Sequence, residues 1–317
     1  MSLSAQLGDR LALVFPGQGS QTVGMGKALS ETSAAARETL READDELGFS
    51  LSRLLFDGPA SELDDTFNAQ PAILAVSFAS LRALRERAAP GEQIAPLVVA
   101  GHSLGQFSAL VAADVIDFRA ALQLVRERGR LMKEAGTRRP GGMAAVIGLD
   151  DERLVEICRE AESEGIINIA NANCPGQTVI SGEAAALEQA MELARSAGAR
   201  RVARLPVSIA SHSPLMEDVS RQLGELIARI DLREPRIPIV GNVSGLPVTT
   251  AGGIRTELEH HVERPVNWTA SVRAMIALGV TTFVELEPGQ VLSGLIKRID
   301  RDVRTVGVSA LTGQAVS

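Results

Sequence analysis

The stretch Leu97-Val98-Val99-Ala100-Gly101-His102-Ser103-Leu104-Gly105 runs from an apolar strand straight into a turn built around one serine. Leu97 to Ala100 is apolar and β-branched enough for a buried strand of a parallel sheet. Phe107 to Val115 then has the composition and length of a helix. Gly101 and Gly105 flank Ser103 at the G-x-S-x-G spacing, where small neighbours let a strand turn sharply into a helix and lift one serine into the open. A serine so placed stands at a helix N-terminus, where free N–H groups and the helix dipole favour developing negative charge. The bare string occurs by chance in many proteins. The strand before it and the helix after it make it specific here.

A chain of 317 residues can bury a large core and form more than one folding unit. Hydrophobic residues at 45% and charged residues at 22% are ordinary for a globular protein. No uncharged apolar run is long enough for a membrane span, and Met1–Arg10 lacks the pattern of a secretory leader, so neither membrane nor export is expected. Cys158 and Cys174 are too few for a disulfide framework or a zinc site and read as buried thiols of a reducing cytoplasm. The net charge of −7 argues against nucleic acid as a partner. An acidic protein partner would need a local basic patch.

Outward from Ser103 the pattern is α/β. Leu11–Phe15 is a first buried strand, closed by Pro16-Gly17-Gln18-Gly19-Ser20, and helical patterns cover Ser30–Leu47, Gln70–Ala88 and Phe118–Gly136. The catalytic candidate then lies at the C-terminal end of a strand, where α/β proteins bind ligands. From Gly142 the character changes. Met143–Leu149, Ile166–Ala172, Gln177–Ser181 and Arg201–Val207 read as strands, with helices at Asp150–Glu164 and Glu183–Ala197. That order is β-α-β-β-α-β, the split ferredoxin-like arrangement, inserted in a larger fold. Residues 139–207 form the expected insert, and 1–138 with 208–317 form the core. Further strands are expected at Ile237–Val240 and Thr281–Leu286, with a terminal helix after Pro288.

Ser103 needs a base. His212 lies in Ser208-Ile-Ala-Ser-His-Ser-Pro-Leu215, a small polar loop of the kind that carries catalytic side chains. His102 adjoins the serine and must point elsewhere if Ser103 faces a pocket, while His260 and His261 sit in the polar stretch ELEHHVER that reads as solvated. No aspartate stands out as a third triad member, so a backbone carbonyl is the candidate to orient the imidazole. Arg128 has Leu122, Val125 and Leu131 near it in a helix that is therefore at least partly buried; a buried guanidinium there requires a carboxylate or phosphate, while composition alone would leave all three arginines of the run as surface charges. Arg126 and Arg130 read as its solvated neighbours. The turn at Pro16–Gln21 is not G-x-G-x-x-G, and Gly26-Lys27 lacks the following Ser or Thr, so dinucleotide and P-loop readings both fail. The turn can instead present a backbone N–H, such as that of Gln18, to an oxyanion.

These blocks together resemble one family. LVFPGQGSQTVGMG, AGHSLGQFSALVAA, LVRERGRLM, GGMAAVIGL, NANCPGQTVISG, SHSPLM, ERPVNWTASV and ELEPGQVLSGLI follow the order found in malonyl-CoA:acyl-carrier-protein transacylases of bacterial fatty acid synthesis, from about Leu11 to Leu311. The resemblance implies an α/β-hydrolase-like core with an inserted ferredoxin-like subdomain. It implies that Ser103 accepts the acyl group, His212 is its base, and Arg128 grips the malonyl carboxylate. By the same resemblance the backbone N–H groups of Gln18 and Leu104 form the oxyanion hole, and the main-chain carbonyl of Asn267 orients the histidine. Malonyl-CoA and holo acyl carrier protein are the implied partners, with no cofactor and no metal. Two positions depart from the family: Gln106 stands where glutamate is usual, and Asn267 where glutamine or arginine is frequent.

Three other readings stand beside this one. A serine esterase or thioesterase would use the same turn, but lacks an acid partner for the histidine and has no need of Arg128. A methylmalonyl transferase, or a polyketide supplier, keeps the chemistry and changes the acyl unit; Leu104 leans towards malonyl, while the small Ser211 leaves room for a methyl branch. A non-catalytic scaffold that binds carrier protein would have no use for Ser103 and His212.

Overall fold

The computed structural model describes residues 2–312. Residue 1 and residues 313–317, the extreme ends of the expected core, lie outside the described residues. In chain order the strands are β1 (Leu11–Phe15), β2 (Val98–Gly101), β3 (Gly141–Ile147), β4 (Ile167–Cys174) and β5 (Gln177–Glu183). They continue as β6 (Arg201–Arg204), β7 (Ile239–Val240), β8 (Pro247–Val248), β9 (Thr282–Glu285) and β10 (Arg304–Gly307). The fold is mixed α/β, with a six-stranded sheet in the order β10-β9-β1-β2-β7-β8 and a four-stranded sheet in the order β4-β5-β3-β6.

In the large sheet β10, β9, β1, β2 and β7 run parallel, and only the edge pair β7–β8 is antiparallel. Such a sheet is covered on both faces, which is why β1 is apolar throughout rather than alternating. Leu11, Leu13 and Phe15 point to one side, against the helices α1 (Ala34–Leu47), α2 (Thr66–Glu86), α3 (Gly105–Ala112) and α4 (Phe118–Arg138). Ala12 and Val14 point to the other, where Trp268, Val272, Met275 and Leu295 form a second core. Chain order reverses across β1, since β2 lies on one side of it and β9 on the other. Crevices open at the C-terminal strand ends of such reversals.

Several boundaries differ from the expected ones for local reasons. The Ser30–Leu47 pattern is broken at Ser33, whose side chain accepts from the Ala36 N–H and caps a new helix. The helix expected from Gln70 begins one turn earlier, because Asp65 caps it and Pro71 is tolerated inside. The strand pairs β7–β8 and β9–β10 include β8 and β10, which carry too few apolar residues to show as strands in the sequence.

The second sheet is fully antiparallel. Two helices, α5 (Asp151–Ala161) and α6 (Ala184–Ser196), cover one face through Leu154, Ile157, Leu187 and Met191. Asp150 caps the first of them, as its sequence suggests. The free thiols of Cys158 and Cys174 are buried. Among the described residues no helix is long and apolar enough to cross a membrane.

Candidate active site

The turn after β2 demands its glycines. A Cβ on Gly101 would lie 1.9 Å from the Gly105 carbonyl, and one on Gly105 would lie 2.1 Å from the Phe15 carbonyl oxygen. Two strands and a helix N-terminus therefore meet at distances that no larger residue permits. Ser103 itself is left-handed, with φ of 49°, a conformation that costs a non-glycine residue about 1–3 kcal/mol and that persists only where its surroundings enforce it.

Asn242, just past the end of β7, does the enforcing. Its Oδ1 accepts from the Ser103 N–H at 2.6 Å, and its Nδ2 donates to the Gly101 carbonyl at 2.6 Å. The Asn242 N–H in turn donates to Oε1 of buried Gln106 at 3.0 Å. A glutamate, which the family usually has there, could accept that bond equally. The departure at Gln106 thus preserves the clamp.

Ser103 Oγ lies 2.8 Å from His212 Nε2. The other ring nitrogen, Nδ1, faces the Arg264 carbonyl at 3.0 Å, and a carbonyl can only accept. The proton therefore sits on Nδ1, and Nε2 is free to take the one from Ser103. This corrects the expectation that the Asn267 carbonyl orients the ring. Asn267 precedes α7 (Trp268–Ala277), and its carbonyl accepts from the Ser271 N–H at 2.9 Å as the first acceptor of that helix. Its side chain holds the Val243 carbonyl. His212 is also left-handed, at φ of 57°. Burial first, then the Arg128 cation and His102, push its imidazole down to about 3, so the ring is a neutral acceptor at physiological pH.

Arg128 is 1% exposed on the inner face of α4. One guanidinium nitrogen donates to Gln70 Oε1 at 2.7 Å and another to Ser103 Oγ at 3.3 Å, while Nε has no partner among the described residues. Burial lowers it to about 9, with no carboxylate opposing the shift, and it remains a cation at neutral pH. Gln70 is fixed by Thr66, to whose Oγ1 its Nε2 donates at 2.9 Å. Thr66 donates onward to the Gln18 side chain at 3.1 Å. One relay thus ties the turn after β1 to the arginine. Along that turn a Cβ on Gly17 would meet the His102 carbonyl at 2.4 Å, which brings the Gln18 segment against the serine turn.

The remaining histidines divide. His102 turns away from the serine and bonds Asn173 Oδ1 at 2.8 Å, and His260 pairs with Glu263 at the surface, both as expected. His261 does not: it is fully buried, edge-on to Phe107 at 5.3 Å and 6.0 Å from the His212 ring. The two consecutive histidines leave a helix end on opposite sides, which hydrophilic neighbours in sequence do not reveal. Arg126 is also less solvated than expected, lying over the rings of Phe49 and Phe67 at 4.9 and 4.6 Å. The sequence alone marks Asn242 and Gln70 only weakly. Their signals were position past a strand end and a glutamine inside the apolar run Gln70–Val76.

A strained serine, a neutral histidine oriented by a carbonyl and an unpaired buried guanidinium around one hydroxyl define a nucleophilic acyl-transfer site. The comparisons agree in kind. Residues 12–315 match the acyl transferase domain family. The malonyl CoA-acyl carrier protein transacylase of Bacillus subtilis is 44% identical, with 95% of this chain and 94% of that protein aligned. The crystal structure of an acyl carrier protein S-malonyltransferase from Vibrio cholerae superposes with a TM-score of 0.89 at 42% identity, covering 94% of this chain and 96% of that one. A malonyl-transacylase solved in complex with its type II PKS acyl-carrier protein gives 0.91 at 39% identity, covering 96% and 100%. The chain belongs to the malonyl CoA-acyl carrier protein transacylases of the acyl transferase family.

Proposed function

We propose that this protein moves the malonyl group from malonyl-CoA to the phosphopantetheine thiol of acyl carrier protein, through a malonyl ester on Ser103, and so supplies fatty acid synthesis. The carrying observation is the single hydroxyl that His212 Nε2 and an Arg128 nitrogen approach together, at 2.8 and 3.3 Å. The malonyl carboxylate pairs with the Arg128 fork, which has lacked an anionic partner until then. His212 takes the Ser103 proton as Oγ attacks the thioester carbonyl. The backbone N–H groups of Gln18 and Leu104 receive the oxyanion, each donor contributing about 3 kcal/mol to the barrier reduction. As the tetrahedral intermediate collapses, the C–S bond breaks and His212 returns the proton to the departing coenzyme A. The carrier thiol then attacks the ester by the same steps in reverse, and Ser103 regains its proton.

Residues 139–207 are read as a ferredoxin-like subdomain, supported by the β4-β5-β3-β6 order and by two helices on one face. Residues 1–138 and 208–317 are read as an α/β-hydrolase-like core, on the strength of its parallel sheet and serine turn. The reaction proceeds between a thioester and two chain residues without a cofactor, and its partners are those of the cytoplasm, with no role for nucleic acid or membrane.

The test is intact-mass measurement after separate incubation with malonyl-CoA, acetyl-CoA and methylmalonyl-CoA, with Ser103→Ala as control. A malonyl adduct that needs Ser103, with little of the other two, supports the assignment. Steady release of coenzyme A without adduct or acceptor marks a hydrolase. An adduct that survives Ser103→Ala moves the nucleophile elsewhere.

A further inference from the structure

The second sheet touches the core chiefly along one strand. Around Asn171, β4 runs parallel to Val266: the Val266 N–H donates to the Ala170 carbonyl at 2.8 Å, and the Ala172 N–H donates to the Val266 carbonyl at 3.0 Å. That seam fixes the segment carrying the Arg264 carbonyl, which orients His212 Nδ1. Three residues before Asn171 the same strand carries Asn168, whose Nδ2 donates both to the Ile169 carbonyl at 2.7 Å and to the His212 carbonyl at 2.8 Å. The His212 ring and the His212 peptide are therefore both held by what β4 organises.

We propose that Asn168 is a positioning residue for the base: its amide anchors the left-handed His212 peptide, and the inserted sheet thereby sets where Nε2 stands relative to Ser103. This deepens the transacylase reading and rests on His212 being the base. Two features favour it over a plain strand-edge bond. The anchored peptide is in a conformation that must be enforced from outside. The geometry also leaves Asn168 Oδ1 buried without a partner among the described residues, a cost to stability that a residue serving only the fold would avoid. The amide orientation is set chemically, since the reverse one would aim the oxygen at two carbonyls.

The experiment measures single-turnover formation of the malonyl enzyme at several malonyl-CoA concentrations for wild type, Asn168→Ala and Asn168→Asp, with thermal melting alongside. Asn168→Ala is expected to slow the maximal acylation rate about tenfold, the worth of one hydrogen bond that orients a reacting group. The half-saturating malonyl-CoA concentration and the melting temperature should stay near wild type, because Arg128 is untouched and an unpaired oxygen is removed. Asn168→Asp, nearly isosteric but without donors, should be slower still. Wild-type rates in both variants would overturn the proposal, as would rate losses that only parallel lost melting temperature or weakened malonyl-CoA saturation. If the wild type forms no malonyl ester, the functional reading falls first and this one with it.

Discussion

Replacing Arg128 by alanine tests the source of substrate choice. The guanidinium is 1% exposed, is held at 2.7 Å by Gln70, and has Nε unpartnered. A carboxylate that pairs with it does so away from water, where removing one partner of a buried ion pair costs about 3–5 kcal/mol. At the lower end this is roughly a 150-fold loss in kcat/KM for malonyl-CoA. Acetyl-CoA has no carboxylate to lose, and in the wild type it covers a cation it cannot pair. Its kcat/KM should hold or rise in the variant, so the malonyl-to-acetyl ratio falls by about two orders of magnitude or more. Stopped-flow acylation with each thioester gives both constants. A matched fall for the two substrates would refute the carboxylate role and leave Arg128 as a support for Ser103 alone.

The pH dependence should be unusual for a histidine base. Because the folded His212 sits near 3 and works as the neutral ring, kcat/KM for acylation should stay flat as pH falls through 6.5, with no ordinary histidine limb before the fold yields. Arg128→Ala removes one of the causes of that depression, so its acid limb should move upward. Stability should follow linkage: His212 binds a proton near 6.5 when unfolded but only near 3 when folded, so its neutral burial costs nothing above 6.5 and stability falls as pH drops from there towards 3; a melting series across that range that shows no decline would contradict it. Gly101→Ala should fail to fold or lose more than about 3 kcal/mol, because its Cβ would meet backbone that cannot withdraw, which chemical denaturation reads directly. The malonyl enzyme should melt above the free enzyme, since its carboxylate supplies the anion that Arg128 lacks; Ser103→Ala treated identically should show no such rise.

The serine turn was legible because three independent signals coincide in nine residues: apolar strand, spaced glycines and helix onset. The strand and helix order of residues 139–207 was legible for a similar reason, as alternating strand and helix lengths, with Asp150 at the start of the first helix, leave little choice of order. What failed to show was contact between distant segments. Asn242 is 139 residues from the N–H it holds, and no local pattern distinguishes it from a loop asparagine. His261 looked solvated because its sequence neighbours are charged, yet burial is decided by the turn after residues 251–259 and by Phe107. The part played by Arg264 in place of Asn267 has the same root. Which carbonyl of residues 263–268 meets His212 depends on where the following helix starts, and Asn267 is consumed as that start while Arg264 remains free.

The free site breaks local rules in one small volume. Ser103 and His212 occupy left-handed backbone, Arg128 is buried without an anion, and Asn168 Oδ1 has no partner. The strained backbones and the unpartnered oxygen each cost on the order of 1–3 kcal/mol and the buried cation more, and large apolar cores on both faces of the main sheet offset them. A carboxylate paired with Arg128 would neutralise the cation that, after burial, contributes to holding the His212 ring away from a proton. On the proposed reading, binding the malonyl group would therefore ease one contribution to that depression. An acetyl group would leave the cation unpaired. Selection and activation would then share one guanidinium, and a site built this way would be complementary to the reacting state rather than to its own resting form.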